Sequence, residues 1–194
     1  MCREHIKPGE RGGYQRKKYI KALEYVKQRR RALDIGAHIG LWSLDMIKDF
    51  EVVEAFEPVA LHRECYVRNV KGSNLYPFAC GDKPDRVSLG TPKEGFTGHT
   101  VVVPGDDVEV VVLDDYGFTD VDFVKVDCEG YEYFVLKGLE QTILRDRPVI
   151  IVEQKPENAD RYGLKTDRAL HYLIELGMLL KARLGGDYVL QWKH

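Results

Sequence analysis

The feature that most limits the fold of this 194-residue chain is a repeated alternation. Short apolar runs end in an acid or a glycine and then give way to apolar residues at helical spacing. Ala32–Ile35 is such a run, closed by Gly36-Ala37-His38-Ile39-Gly40, after which Leu41, Leu44 and Ile47 continue at helical spacing. Glu51–Phe56 ends at Glu57-Pro58, and a proline suits the first turn of the next helix. Leu75–Ala79 leads into Cys80-Gly81-Asp82, and Val121–Val126 delivers Asp127-Cys128-Glu129-Gly130 ahead of a helix carrying Val135, Leu139 and Ile143. Pro148–Glu153 is a further strand, and Leu170, Leu173, Ile174 and Gly177 mark a late helical face. Strands alternating with helices predict an α/β fold, a parallel sheet with helices on both faces. Leu179–Leu184 and Tyr188–Trp192 meet through Gly185-Gly186-Asp187 with no helix between them, so one of the two runs antiparallel.

Two regions stand outside this rhythm. Tyr14–Gln28 reads as a helix, with Tyr19, Leu23 and Val26 beneath a charged face. In residues 83–112, Val101–Val103 and Val108–Leu113 flank Pro104-Gly105-Asp106-Asp107, which reads as a hairpin in an irregular insert. The expected organisation is a basic helical arm over residues 1–30, packed on one domain over 31–194. The net charge of −2 conceals this division. Residues 1–31 hold eleven basic and three acidic side chains, a local +8, which leaves 18 basic against 28 acidic in the remainder. No stretch approaches the ~20 apolar residues a membrane helix needs, and Met1-Cys2-Arg3-Glu4-His5 lacks the apolar core of a signal peptide. Cys2, Cys65, Cys80 and Cys128 are scattered, with no pair at zinc spacing, and read as reduced thiols of a cytoplasmic protein.

In a sheet of this kind ligands bind outside the carboxyl ends of the strands, so the junction residues carry the chemistry. Asp34-Ile35-Gly36-Ala37-His38-Ile39-Gly40 follows D-x-G-x-x-x-G, not the G-x-G-x-x-G of dinucleotide enzymes. Gly36 lets a ligand approach the backbone, Gly40 permits close packing where the helix begins, and Asp34 offers an acid to a sulfonium-bearing amino-acid tail. Glu57 lies 23 positions after Asp34, near the ~20-residue offset at which an acid receives ribose hydroxyls; a helix N-terminal carboxylate is its other reading. Ala79, Cys80 and Asp82 suit the border of an adenine ring, or simply an acidic turn. Asp127, Glu129 and Glu132 cluster at one strand end, where carboxylates raise one another's pKa and serve as a general base or a cation site. Glu132 also fits as a helix-start acid.

The run Leu33–Gly40 resembles motif I of class I S-adenosylmethionine-dependent methyltransferases. Phe123–Glu132, with Val135-Leu136-Lys137-Gly138 and Arg147-Pro148 ahead of Glu153, resembles the FkbM family of methyltransferases. The likeness runs in matching order over residues 30–192. It implies a single Rossmann-like domain with a mostly parallel seven-stranded sheet and an antiparallel terminal strand. It also implies O-methylation of a hydroxyl on a sugar, glycolipid or natural product, with S-adenosyl-L-methionine as cofactor. By this resemblance Asp34, Gly36, Ala37, His38 and Gly40 border the methionine end, Glu57 and Pro58 the ribose, and Ala79, Cys80 and Asp82 the adenine. Asp127 faces the reaction centre; Asp127 and Glu129 are the candidate bases, with Glu153 at the next strand end and His38 or His99 behind them. Thr97 and His99, in a glycine-flanked loop, are candidate acceptor contacts. No metal is expected to be required, although Asp127 and Glu129 could hold Mg²⁺ against a vicinal diol. One rival keeps the cofactor and directs it at RNA or another nucleic acid through Lys17, Lys18, Lys21, Lys27 and Arg29-Arg30-Arg31. A nicotinamide-dependent oxidoreductase and a non-catalytic binding module are the remaining alternatives. The oligomeric state is not legible from the sequence.

Overall fold

The computed structural model describes residues 13, 15–91, 100–155 and 157–193. A short helix, α1 (Arg16–Leu23), precedes β1 (Arg31–Ile35), α2 (Ser43–Asp49), β2 (Val52–Phe56), α3 (Ala60–Asn69) and β3 (Asn74–Tyr76). Four short strands follow: β4 (Ala79–Cys80), β5 (Asp85–Gly90), β6 (Val101–Pro104) and β7 (Val108–Val111). The chain then forms β8 (Val121–Val126), α4 (Glu132–Lys137), α5 (Glu140–Asp146), β9 (Val149–Glu153), α6 (Arg168–Glu175), β10 (Met178–Leu184) and β11 (Asp187–Trp192).

Seven strands make the main sheet in the order β10-β11-β9-β8-β1-β2-β3. β1 pairs in parallel with β2 and β8, and β8 with β9, while β11 runs antiparallel to both β9 and β10. The central strands are apolar on both faces because helices cover both. Leu33, Ile35, Val124, Val126, Ile150 and Val152 face α4, α5 and α6, whose Val135, Leu136, Ile143, Leu170 and Leu173 complete that core. Ala32, Phe123, Val149 and Ile151 face the opposite way, against Tyr19 and Ala22 of α1 and Trp42, Met46 and Phe50 around α2. This is the Rossmann-like arrangement expected, with the last strand of the chain as the antiparallel one.

Four local expectations are corrected. The run from Leu75 to Ala79 is two elements: β3 ends at Tyr76, and Ala79–Cys80 belongs to a second, four-stranded sheet of order β4-β7-β5-β6. The expected hairpin between β6 and β7 does not form, because β5 lies between them and pairs antiparallel with both. The helix expected through Val135, Leu139 and Ile143 is broken into α4 and α5 at Gly138-Leu139. There a Cβ on Gly138 would sit 2.0 Å from the Gly81 carbonyl oxygen, so only a glycine allows the backbone approach beside the break, and the chain leaves helical dihedrals at Leu139, φ −118°. Cys65, expected as a reduced thiol, is disulfide-bonded, whereas Cys80 and Cys128 are free. Among the described residues no helix is long and apolar enough to cross a membrane.

Candidate active site

The ends of β1, β2, β8, β9 and the start of β11 converge on a cavity of about 640 Å³, roofed from the small sheet by Leu89, Thr100 and Val102. Gly36 makes the approach possible: it has φ +74°, and a Cβ there would lie 2.0 Å from the Asp127 carbonyl oxygen. Gly40, at φ +86°, instead faces α3, where a Cβ would meet Val70 Cγ2 at 2.5 Å, so its role is packing. Gly36, Ala37 and His38 line the cavity, while Asp34 does not. Asp34 is fully buried behind the wall. Its Oδ2 accepts from Ser43 Oγ at 2.6 Å, and its Oδ1 lies 3.2 Å from Lys125 Nζ, an ion pair outside hydrogen-bond alignment. Lys125 Nζ also donates to the Gly36 carbonyl at 2.7 Å. Burial alone would depress the Lys125 pKa, but Asp34 and Asp127 outweigh it and hold the ammonium above its ordinary value. Asp34 thus holds a lysine that ties the first turn to β8.

Glu57 lines the cavity with Pro58. Its Oε2 accepts the His38 backbone N–H at 2.8 Å, and its Oε1 accepts that of Val59 at 2.8 Å with His62 Nδ1 at 3.2 Å. Burial raises its pKa, yet His62 and these two amides prevail and hold the carboxylate below its ordinary value. The two histidine rings stand edge to face, 4.1 Å apart. Burial, then His62, pushes His38 down to about 4, so its ring is neutral near pH 7, and its Nε2 is buried without a partner. Phe78, Ala79 and Cys80 form the neighbouring wall. Asp82, expected beside them, lines no part of the cavity and pairs instead with Lys137 of α4 at 3.2 Å.

The loop after β8 carries Glu129 at φ +52° and Gly130 at φ +108°. It is held from beneath by Glu132, whose Oε1 accepts the N–H groups of Cys128 and Gly130, each at 2.9 Å. One carboxylate oxygen from each of Asp127, Glu129 and Glu153 lies within 4.8 Å of the others. Lys155 Nζ stands among them, 2.7 Å from Glu153 Oε2 and 3.3 Å from Glu129 Oε1, and Asn158 Nδ2 donates to Glu129 Oε2 at 2.8 Å. Burial, and then the Asp127 charge, raises the Glu153 pKa well above the carboxylate range. Asp127 moves the other way: burial opposes ionisation, but Lys125 and the contact with Glu153 prevail and lower its pKa. The two shifts run in opposite directions, burial favouring the protonated form of Glu153 and Lys125 the ionised form of Asp127 at the cavity wall. Three carboxylates suit a hard cation, but the Lys155 ammonium already supplies positive charge between two of them.

All three candidate carboxylate bases thus line one cavity, with Gly36, Ala37, His38, Glu57, Pro58, Ala79 and Cys80. Thr97 and His99 lie outside the described residues. Lys125, Lys155 and His62 were missed by sequence reasoning. Lys125 had a signal, the one charge inside an otherwise apolar strand end; Lys155 and His62 had none beyond their nearness to Glu153 and Glu57.

The cavity fits a nucleoside cofactor with an amino-acid tail. It has the volume for one, its floor accepts no side chain at Gly36, and the orphaned His38 Nε2 leaves a polar position for a ligand to satisfy.

Comparison with known proteins agrees. The model of the methyltransferase FkbM domain matches residues 34–180. No curated protein matches the chain. Methyltransferase FkbM from Methylobacillus flagellatus KT superposes with a TM-score of 0.56 at 17% identity, over 89% of this chain and 48% of that one, so this chain spans about half its length. An rRNA methylase from Streptococcus thermophilus gives 0.53 at 12% identity, covering 91% and 95% of the two chains. A Streptococcus mutans protein solved in complex with SAH gives 0.55 at 9%, covering 90% and 94%. At these identities the likeness is one of fold.

Proposed function

The chain belongs to the methyltransferase FkbM domain family, and from that membership we propose that it transfers a methyl group from S-adenosylmethionine to a hydroxyl oxygen of a sugar, glycolipid or natural product. The observation that supports the oxygen-directed reading is geometric: Asp127, Glu129 and Glu153 bring carboxylate oxygens within 4.8 Å of one another on the cavity wall, with Asp127 held toward its ionised form by Lys125. The bound cofactor supplies a sulfonium-activated methyl, which passes to the acceptor oxygen in line with the departing sulfur. Asp127 receives the hydroxyl proton as the new C–O bond forms. A base of low pKa suffices there, because the attacking oxygen becomes strongly acidic as it gains the methyl. Lys155 and Asn158 hold Glu129 beside Asp127 and Glu153. Alignment of oxygen, methyl and sulfur carries the larger share of the acceleration, worth ~7–11 kcal/mol in well-ordered sites.

A second reading has its own observation: the spacing of Asp127, Glu129 and Glu153 admits Mg²⁺ against a vicinal diol. Full activity in excess chelator eliminates it. The test of the main reading is incubation with isotope-labelled S-adenosylmethionine and a pool of glycans and hydroxylated small molecules, followed by mass spectrometry. A one-methyl increment on an ether oxygen is expected. Label confined to RNA or to nitrogen would overturn the reading.

A further inference from the structure

We propose that Lys18, on the N-terminal helix, binds the carboxylate of the cofactor's amino-acid tail, an inference that rests on the S-adenosylmethionine reading above. The tail of this cofactor carries an ammonium and a carboxylate, and the cavity is rich in acids, so the carboxylate needs a cation. Three lysines line the cavity. Lys125 is buried between Asp34, Asp127 and the Gly36 carbonyl. Lys155 is divided between Glu129 and Glu153. Among the described residues Lys18 contacts one group, Asp187. Its ammonium has three donors, and its side chain is 26% exposed, so it retains donors for a ligand.

Its position suits the tail. Along the carboxyl edge of the sheet the cavity-lining residues run Asp187, Glu153, Asp127, Gly36, Glu57, following the strand order β11-β9-β8-β1-β2. Glu57 marks the nucleoside end with Ala79 and Cys80 beyond it. A tail leaving the ribose past Gly36 extends toward Asp127 and Asp187, where Lys18 meets it from α1. The acids there suit the ammonium. The helix itself is fixed independently of Lys18, by Tyr19 Oη donating to Asp49 at 2.8 Å, by the Arg16–Asp45 pair at 3.0 Å and by Trp42 Nε1 donating to Gln15 Oε1 at 3.0 Å.

The test is calorimetric titration of the whole chain with S-adenosylhomocysteine and with methylthioadenosine, which keeps the nucleoside and lacks the amino-acid tail. Lys18→Met should weaken S-adenosylhomocysteine about 10- to 100-fold, the range for a lost charge-assisted hydrogen bond, and leave methylthioadenosine unchanged. Lys18→Arg should restore most of the affinity. Arg16→Met, which breaks a comparable anchor of α1 outside the cavity, should change neither ligand. The inference is overturned if Lys18→Met binds S-adenosylhomocysteine like the wild type, or if both ligands weaken alike, the mark of a displaced helix. A wild type that binds neither ligand would overturn the cofactor reading itself, and the inference with it.

Discussion

Glu132 lies under the turn that carries Glu129, and its Oε1 satisfies two backbone N–H groups that would otherwise be buried without partners. Burial raises its pKa from 4.5 to about 7, against the opposing pull of those amides. Below 4.5 native and unfolded chains are both protonated there. Between 4.5 and about 7 the native chain holds more protons, so its stability falls as pH rises, and above that window the penalty is constant. Glu132→Gln keeps an acceptor for the turn and cannot ionise. Its stability relative to the wild type, read from urea midpoints, should therefore rise across this window; a constant difference would refute the assignment. Glu132→Ala leaves both amides unsatisfied and should cost about 2–6 kcal/mol. At the reaction centre, Asp127→Asn should lower kcat by ~10²–10⁴ while S-adenosylhomocysteine still binds. Undiminished turnover would remove Asp127 from the mechanism. These residues were legible to different degrees. The D-x-E-G-x-E run pointed to Asp127 and Glu129 because its acids follow a strand directly. The contacts of Asp34 were hidden, because an acid paired with a lysine one strand away looks the same in sequence as one that faces a ligand.

The elements divide along the same line. β1, β2, β8 and β9 were readable within one or two residues, because strands buried on both faces are continuous apolar runs. β5 was not read: Asp85-Arg86-Val87-Ser88-Leu89-Gly90 has only Val87 fully buried, and nothing local says that β5 separates β6 from β7. β6 is further fixed by Tyr162, whose hydroxyl bonds the Val102 N–H and carbonyl, each at 3.1 Å, a partner 60 positions away. Helix α1 was foreseen as a longer element. It ends at Leu23, since its hold comes from the sheet face rather than from length. Tyr19, 3% exposed, packs edge to face on Trp42 at 5.6 Å and on Phe123 at 6.1 Å. Tyr19→Ala should accordingly cost about 3–5 kcal/mol, as for other buried aromatic truncations, with Tyr19→Phe losing only the Asp49 hydrogen bond, about 1–3 kcal/mol. Chemical denaturation followed by Trp fluorescence checks both. A loss below 1 kcal/mol for the alanine variant would mean that α1 is not part of the core.

At the scale of the whole molecule the charge division acquires a structural reason. The basic segment is matched to acids of the body: Arg16 to Asp45, Lys18 to Asp187, Arg29 to Asp49, Arg30 to Asp120 and Asp122, and Arg31 to Glu54. Arg30 is the most committed, with its backbone N–H and its guanidinium both on Asp122. The exposed pairs, Arg29 with Asp49 and Arg30 with Asp120, contribute little one by one, ~0–1 kcal/mol, whereas Asp45, Asp122, Asp187 and Glu54 are largely buried and need their cations. Together the pairs lay a cationic segment along an anionic domain. A surface that attracts nucleic acid does so through phosphate-facing cations and loses affinity steeply as salt rises. Here Lys18, Lys21, Arg29, Arg30 and Arg31, five of the seven cations in question, already face carboxylates. The expected result is therefore weak RNA binding with a shallow dependence on salt. Mobility shifts on a panel of structured and single-stranded RNAs across a salt series provide the measurement. Tight binding with a slope of several phosphate contacts would mean that the ion pairs open for a polyanion, and would return the acceptor to RNA. Charge reversal separates the two cases further. Arg30→Glu meets Asp120 and Asp122 with a like charge, so it should lower thermal stability most at low salt, where repulsion is least screened. If it lowered RNA affinity and left stability untouched, Arg30 would belong to a nucleic-acid face instead of the seam between arm and body.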